Sequence, residues 1–119
     1  MKVCSSADIE EGSRLVVDLG PRTVGIFRLA GGALHAYENS CPHQGGPVCQ
    51  GTILPRVVEQ LDATTKAATG FRFDSGDMHI VCPWHGFEFS IATGKHAAAS
   101  HVVLQTVPVI EVNGEIHVD

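Results

Sequence analysis

The chain has 119 residues, of which 44% are hydrophobic and 18% are charged, and its formal net charge is −5 at pH 7. This length is typical of one domain with a single core. The basic residues are scattered along the chain, which argues against binding to nucleic acid, because phosphate contacts need clustered Lys and Arg. No leader-like segment and no membrane-length apolar run is visible. We therefore expect a soluble, cytoplasmic protein.

Short apolar runs, rich in Val, Ile and Phe and separated by Gly, Pro, Asn and Asp, dominate the chain. Such runs suit strands with one buried face. The pair Asn113-Gly114 lies between two of them and predicts a tight hairpin with a type I′ turn. The pattern predicts an all-β fold, an antiparallel sandwich or small barrel. The predicted strands cover residues 14–19, 24–29, 34–38, 79–82, 88–91, 102–106, 109–112 and 116–118.

Two proline-containing segments do not fit a central strand, because proline cannot donate to a β-ladder. The first, residues 40–51, has the sequence SCPHQGGPVCQG, and the second, residues 82–86, has the sequence CPWHG. We predict that both are loops, stiffened by proline and able to bend at glycine. Cysteine and histidine are concentrated in these two loops.

The segment between the two loops, residues 54–77, has a polar and small middle. We favour a hairpin with arms at residues 56–61 and 71–73. A short helix over residues 57–68 is the alternative, although its two adjacent threonines are poor helix formers. The segment is either a partner-docking feature or an inert hairpin, and we favour the inert hairpin because loop insertions carry little entropic cost.

Each loop supplies one cysteine and one histidine: Cys41 and His43 in the first, Cys82 and His85 in the second. Zinc accepts two cysteines and two histidines, but zinc fingers usually pair like with like. A mixed pair on each loop suits a two-iron cluster, in which one iron takes both thiolates and the other takes both imidazoles. A structural zinc site remains the alternative. Glycines would let backbone N–H groups approach the bridging sulfides; they are Gly45, Gly46 and Gly86.

The two segments CPHQGGPVCQG and CPWHGFEFSIATGK resemble the cluster-binding boxes of Rieske iron–sulfur proteins. The similarity is closest to soluble Rieske ferredoxins and to small Rieske subunits of bacterial oxygenase or reductase systems. The resemblance implies one [2Fe–2S] cluster per chain. It places Cys41 and Cys82 on the inner iron, and His43 and His85 on the outer iron.

The resemblance also implies a Rieske-type fold, with an antiparallel β base over residues 1–39 and 93–119. A cluster-binding subdomain would cover residues 40–92, with the insertion at 54–77. The implied function is one-electron transfer from a reductase to a partner oxygenase or reductase, with no catalysis of its own. The alternatives are a small subunit of a nitrite reductase-like enzyme and a redox-sensing or structural metal-binding domain.

Some positions differ from the high-potential Rieske proteins of respiratory and photosynthetic complexes. Those proteins carry a serine and a tyrosine where this chain has Phe87 and Phe89, which donate no hydrogen bond to sulfur. They also join their loops by a disulfide, but here Trp84 occupies the cysteine position and Cys49 is left without that partner. We therefore predict no loop–loop disulfide and a reduction potential at or below ~0 mV.

The remaining cysteines and histidines lie outside this pattern. Cys4 and Cys49 are expected to be small buried hydrophobes rather than ligands. The other histidines are expected to be ordinary strand or loop residues, and they are His35, His79, His96, His101 and His117. Trp84 is expected to shield the cluster by packing.

Overall fold

The strands of this chain are given by a computed structural model, which describes residues 1–42, 45–61, 68–83, 86–99 and 101–119, without the side chains at 56–61 and 68–76. In this part of the chain there are ten β-strands and two short 3₁₀ turns, and the all-β prediction is confirmed. The strands are β1 (Lys2–Ser5), β2 (Arg14–Asp18), β3 (Thr23–Arg28), β4 (Leu34–Glu38), β5 (Thr52–Leu61), β6 (Ala68–Val81), β7 (Glu88–Ser90), β8 (Thr106–Val107), β9 (Val109–Val112) and β10 (Glu115–Val118), and the 3₁₀ turns are Ser6–Asp8 and Val48–Gln50.

The strands form three antiparallel sheets with the orders β1-β10-β9, β2-β3-β4-β8 and β5-β6-β7. The predicted strand ends agree within one residue for β2, β3, β4, β7, β9 and β10. Asn113 and Gly114, with φ of 51° and 75°, join β9 to β10. Two positive φ values are what a type I′ turn requires, so this predicted hairpin is confirmed.

Strand β3 has a buried side chain on each of its faces. Ile26 lies in one buried cluster, together with side chains from β4, β8 and β10. Phe27 lies in the other, with side chains from β4, β6, β7 and both predicted ligand loops. Since successive strand residues point to opposite faces, this apolar strand is covered on both sides. The second cluster, around Phe27, is where the two loops meet.

The predicted hairpin between the loops is confirmed and is longer than expected. Strands β5 and β6 pair from Thr52↔Val81 to Leu61↔Ala68, with irregularities in register after Pro55 and after Gln60. The helix alternative is wrong for the described residues, since 57–61 and 68 lie in strands. The tip of the hairpin, residues 62–67, lies outside the described residues.

The strand predicted over residues 102–106 is wrong apart from Thr106, which begins β8. Val103 forms a single bridge with Lys95, and the Leu104 N–H donates to the carbonyl of Gly94 at 2.8 Å. These bonds go to a turn rather than to a neighbouring strand, so the apolar run has no continuous ladder to join. Within the described residues, no helix is long and apolar enough to span a lipid bilayer.

Candidate metal centre

The two predicted ligand loops are closed in the same way. In the first, the Cys41 N–H donates to the carbonyl of Gly46 at 2.8 Å; in the second, the Cys82 N–H donates to the carbonyl of Phe87 at 2.7 Å. In each case the acceptor lies five residues after the cysteine, and a proline follows the cysteine directly. Two loops with one closure pattern present their cysteines in equivalent backbone settings.

Both cysteines are buried at one place in the core. Cys41 is 3% exposed and Cys82 is 1% exposed, and both belong to the same cluster of buried side chains. Cys41 follows the end of β4 and Cys82 follows the end of β6, so the second and third sheets each bring one sulfur to this cluster. Two soft donors in a shared, water-poor place fit the thiolate half of an iron–sulfur site.

The other half of the predicted donor set is not described. His43 and His85, together with Trp84, lie outside the described residues. In the ranges that the structure does describe, no group of three or more His, Cys, Asp or Glu side chains is arranged to hold a metal ion.

A close backbone contact joins the two loops. A Cβ added to Gly51 would lie 1.8 Å from the carbonyl oxygen of Val81, so the contact requires glycine. The next residue, Thr52, pairs with Val81 in the third sheet. The Arg14 guanidinium donates to the Gly51 carbonyl. The end of the first loop is thereby fixed against the strand that leads into the second.

Strand β4 supports both loops through polar side chains. The Asn39 amide, just after β4, accepts from the Cys49 N–H at 2.9 Å and donates to the Gln50 side chain at 3.2 Å. The buried Tyr37 hydroxyl donates to the Ile91 carbonyl at 2.5 Å. Each bond links the second sheet to a segment next to a cysteine loop, which limits the freedom of both loops.

Cys49 is a buried free thiol, as expected for a small hydrophobe. Its Sγ lies 3.7 Å and 3.8 Å from the carbonyl oxygens of Tyr37 and Glu38. Burial raises the pKa of this thiol to about 12, so it stays protonated at neutral pH. Cys4 is half-buried against the other cluster, and burial also raises its pKa.

The second loop leads into an aromatic contact. The ring of His96 lies edge-on to Phe87 and Phe89, with centroid distances of 5.2 Å and 5.5 Å. Its Nδ1 accepts backbone N–H groups of Ala98 and Ala99 at 3.0 Å and 3.1 Å. Phe89 is fully buried. His96 is therefore held by packing and hydrogen bonds within its own turn, in line with the role expected for it.

His79 was expected to be an ordinary strand histidine, and its buried contacts with acidic side chains were not foreseen. Among the described residues it is the buried polar side chain, 3% exposed, and it contacts Asp77 and Glu88. Asp77 and His79 are two positions apart on one strand and so share a face, which is a signal that the sequence contained. The third partner comes from the next strand and could be identified only once β6 and β7 were paired.

Both the sequence and the fold of this chain are similar to those of known proteins. A model of the Rieske [2Fe-2S] domain matches residues 1–108. Ferredoxin CarAc of Metapseudomonas resinovorans is 28% identical over 120 residues, which is 99% of this chain and 91% of that protein. A chain in the complex of reduced oxygenase and oxidized ferredoxin in carbazole 1,9a-dioxygenase aligns with a TM-score of 0.69 at 27% identity, covering 100% of both chains.

A further solved structure shares the fold. It is assigned as the small subunit of an NADH-dependent nitrite reductase from Mycobacterium tuberculosis, and it aligns with a TM-score of 0.70 at 21% identity. The alignment covers 99% of this chain and 91% of the other. At this identity the likeness concerns the fold alone.

Proposed function

We propose that this chain, which belongs to the Rieske [2Fe–2S] domain family, carries single electrons between redox proteins. The observation that carries the proposal is the pair of matched loops, whose cysteines are closed by equivalent hydrogen bonds and buried in one cluster. A [2Fe–2S] cluster bound there would supply one-electron chemistry. The chain itself would provide the ligands, the packing around them and a docking surface.

In this proposal Cys41 and Cys82 hold the inner iron of one cluster per chain, and His43 and His85 hold the outer iron. The burial of both cysteines supports the assignment of the inner side. The assignment of the histidines is supported by their places in the two loops, two residues after Cys41 and three after Cys82. Neutral imidazoles bring less negative charge than thiolates, and this raises the potential above that of a four-cysteine site.

The protein around the centre would mainly restrict the motion of the ligand loops and exclude water from them. The Gly51–Val81 contact and the hydrogen bonds of Asn39 and Tyr37 fix both loops to the sheets. Apolar side chains surround the two cysteines. A rigid, water-poor setting limits the rearrangement that accompanies a change of charge.

The proposed partners are a reductase that donates the electron and an oxygenase or reductase that accepts it. Similarity to a ferredoxin solved in complex with its oxygenase supports this assignment. The net charge of −5 would favour a basic partner surface and would speed encounter at low salt. We propose action in the cytoplasm, without a membrane, nucleic acid or small-molecule substrate of its own.

We also propose the two-part arrangement predicted from the sequence, with a base over residues 1–39 and 93–119 and a cluster-binding subdomain over 40–92. The sheet β5-β6-β7 lies entirely within the second part, which supports this division. The insertion at 54–77 would belong to the same subdomain.

Chemical analysis of the purified chain tests the proposal. We expect two irons and two sulfides per chain, a red-brown colour and an EPR signal that appears on reduction. The substitutions Cys41→Ser, His43→Ala, Cys82→Ser and His85→Ala should each abolish or alter this signal, while Cys4→Ala should preserve it. A colourless protein that holds one zinc would contradict the proposal.

A fixed small subunit of a larger reductase is the second candidate, because the same fold occurs in a structure assigned to that role. Co-purification of this chain with a large subunit at fixed stoichiometry would favour it. A chain that purifies alone and is reduced by a flavin-dependent reductase would favour the mobile carrier.

A further inference from the structure

We propose that His79 is a charged positioning residue of the second ligand loop: held as an imidazolium between Glu88 and Asp77, it braces the strands on both sides of the loop and raises the reduction potential of the centre. This inference rests on the proposed function, since it concerns a cluster in that loop. No titratable group in the ligand set takes part in it.

The contacts of His79 occupy both nitrogens of its ring. Nδ1 contacts the Glu88 carboxylate, and Nε2 lies 3.1 Å from Oδ2 of Asp77. The Ser90 hydroxyl donates to the other oxygen of Asp77 at 3.1 Å. The His79 side chain is 3% exposed, whereas Glu88 and Asp77 are 33% and 30% exposed. The ring is therefore buried, while both carboxylates still reach water.

The charge that the proposal gives to the ring is based on the acceptor at each of its nitrogens. An ionised carboxylate only accepts hydrogen bonds, and a neutral imidazole has only one N–H to donate. His79 faces an accepting carboxylate at each nitrogen, and the proposal places a proton on both nitrogens, which makes the ring positive. A buried charge is costly unless it is paired on all sides, and here Glu88 and Asp77 provide that pairing. Together the three side chains carry a net charge of −1.

Their position links the trio to the loop. His79 pairs with Ser90, and Val81 pairs with Glu88, in the ladder between β6 and β7. The loop that carries Cys82 connects these two strands. The contact between His79 and Glu88 therefore crosses from one strand to the other at the base of the loop. On the opposite face of the ladder, Ile80 and Phe89 pack into the core.

Other charged and titratable groups face the same cleft. Lys95 and His96 line it together with Asp77, His79 and Ser90. Lys95 is exposed, so water screens its charge. In the proposal His79 is the buried cation of this group. Water therefore screens the effect of removing its charge less than it screens the effect of removing the charge of Lys95.

The charge and bracing roles give different results on substitution. His79→Gln changes the net charge of the trio from −1 to −2 and should lower the potential, because added negative charge disfavours an extra electron. Glu88→Gln changes it from −1 to 0 and should raise the potential. Both substitutions break the same contact, so a brace without an electrostatic role would not shift the potential in opposite directions.

The test is a potentiometric titration of cluster-loaded wild type and of the His79→Gln, Glu88→Gln and Asp77→Asn variants. We expect the equilibrium constant for reduction to fall at least about twofold for His79→Gln and to rise at least about twofold for the other two, which is about 18 mV for one electron. The matched control is His117→Gln. His117 lies 3.4 Å from a Glu115 carboxylate oxygen in the first sheet, and its loss should leave the potential unchanged.

Iron content and thermal unfolding midpoints, measured on the same samples, report the bracing role. We expect both His79→Gln and Glu88→Gln to lower the midpoint. Potentials that stay unchanged, or that shift in the same direction in these two variants, would overturn the inference. If His79→Gln does not retain its cluster, an unchanged or lowered potential in Glu88→Gln and Asp77→Asn would overturn it instead. Wild-type protein without a cluster would refute the proposed function itself.

Discussion

Gly51 shows how one missing Cβ holds the two ligand loops together. Gly51→Ala would place a carbon 1.8 Å from the Val81 carbonyl oxygen, so the end of the first loop must move away from β6. We expect a loss of about 1–3 kcal/mol in the free energy of unfolding, measured by urea denaturation, and a lower iron content.

Gly114→Ala is the matched control for this substitution. Nothing lies within 4 Å of a Cβ at Gly114, and its φ is +75°. It should cost only the strain of a left-handed backbone, about 1–2 kcal/mol, and keep its full iron content. Equal iron content in the two variants would show that the Gly51 contact does not position the loops.

The side chain at position 87 is expected to help set the reduction potential. Phe87 is half-buried against the cluster that contains both cysteines, and its ring has no hydrogen-bond donor. We predict a wild-type potential at or below ~0 mV and a higher potential for Phe87→Ser, because a hydroxyl can donate to sulfur. Phe87→Leu, which adds no donor, should leave the potential near the wild-type value. A wild-type potential above about +200 mV would contradict the prediction.

At the residue scale, features contained in one short segment were predictable from the sequence. Contacts between side chains on different strands were not. The two Cys/His pairs are recognisable because each pair is contained in one short loop. The buried state of Cys49 followed from ordinary thiol behaviour. The role of His79 depends on Glu88, which lies on another strand. The Gly51 contact depends on Val81 in the same way. Predicting such contacts requires knowing which residues of two paired strands lie opposite each other, and the sequence alone does not specify this register.

The hairpin formed by β5 and β6 contains none of the proposed ligands, and its role is a separate question. Arg56 pairs directly with Asp74, so the outer part can be removed by replacing residues 57–73 with Asn-Gly, a two-residue turn. We expect unchanged iron content and reduction potential, because the residues that support the loops are kept. Absorbance and potentiometry on the shortened chain check this expectation.

The same shortened chain separates an inert hairpin from a docking element. We expect the rate of electron delivery to a partner oxygenase to stay within about twofold of wild type. A partner-specific loss of rate, with an intact cluster and unchanged potential, would show that the outer hairpin docks the partner. The removed residues include two acidic and two basic side chains, so shortening leaves the net charge of the chain unchanged.

Elements joined by short turns were predictable from the sequence, and elements joined across the molecule were not. Asn113-Gly114 specifies its own hairpin because the turn chemistry is local. Strand β1 was missed, since it pairs with β10 at the other end of the chain. The apolar run at 102–106 looked like a strand, but its backbone bonds to a turn. Only Leu104 of this run is buried, and Val103 is exposed, so hydrophobicity alone showed neither the burial of the run nor its pairing.

At the scale of the whole molecule, an ion pair links the first sheet to the second. Arg28 on β3 forms a two-pronged pair with Glu111 on β9, the shorter contact being 2.7 Å, and also donates to the carbonyls of Ile9 and Ser6. The hydrogen bond from Arg28 is the main cause that lowers the pKa of Glu111 from 4.5 to about 2. This pair therefore makes the stability of these two sheets sensitive to acid.

The direction of the pH effect follows from that lowered pKa. A carboxyl with a lower pKa in the folded state stabilises the fold above its unfolded pKa of 4.5, and the contribution is lost as the pH falls towards about 2. We expect the urea midpoint of wild type to fall more between about pH 5.5 and about pH 3 than that of Glu111→Gln.

The exposed Glu10 provides the control for this measurement. Glu10→Gln should keep the acid dependence of wild type, because it leaves the pair between Arg28 and Glu111 intact. The same fall in all three proteins would show that the pair does not contribute to acid sensitivity. The effect should also weaken at high salt, since Glu111 remains about a third exposed.

The pairing of β5 with β6 also bears on how the chain folds. Cys41 and Cys82 are far apart in sequence, and closing one large loop to bring them together is slow. A hairpin instead grows from its turn in microseconds, and each new pair closes only a small loop. Here the growth would run from Leu61↔Ala68 to Thr52↔Val81, which lies beside both ligand loops. Stepwise pairing of the two strands of this long insertion would therefore bring two distant cysteines together without closing one large loop.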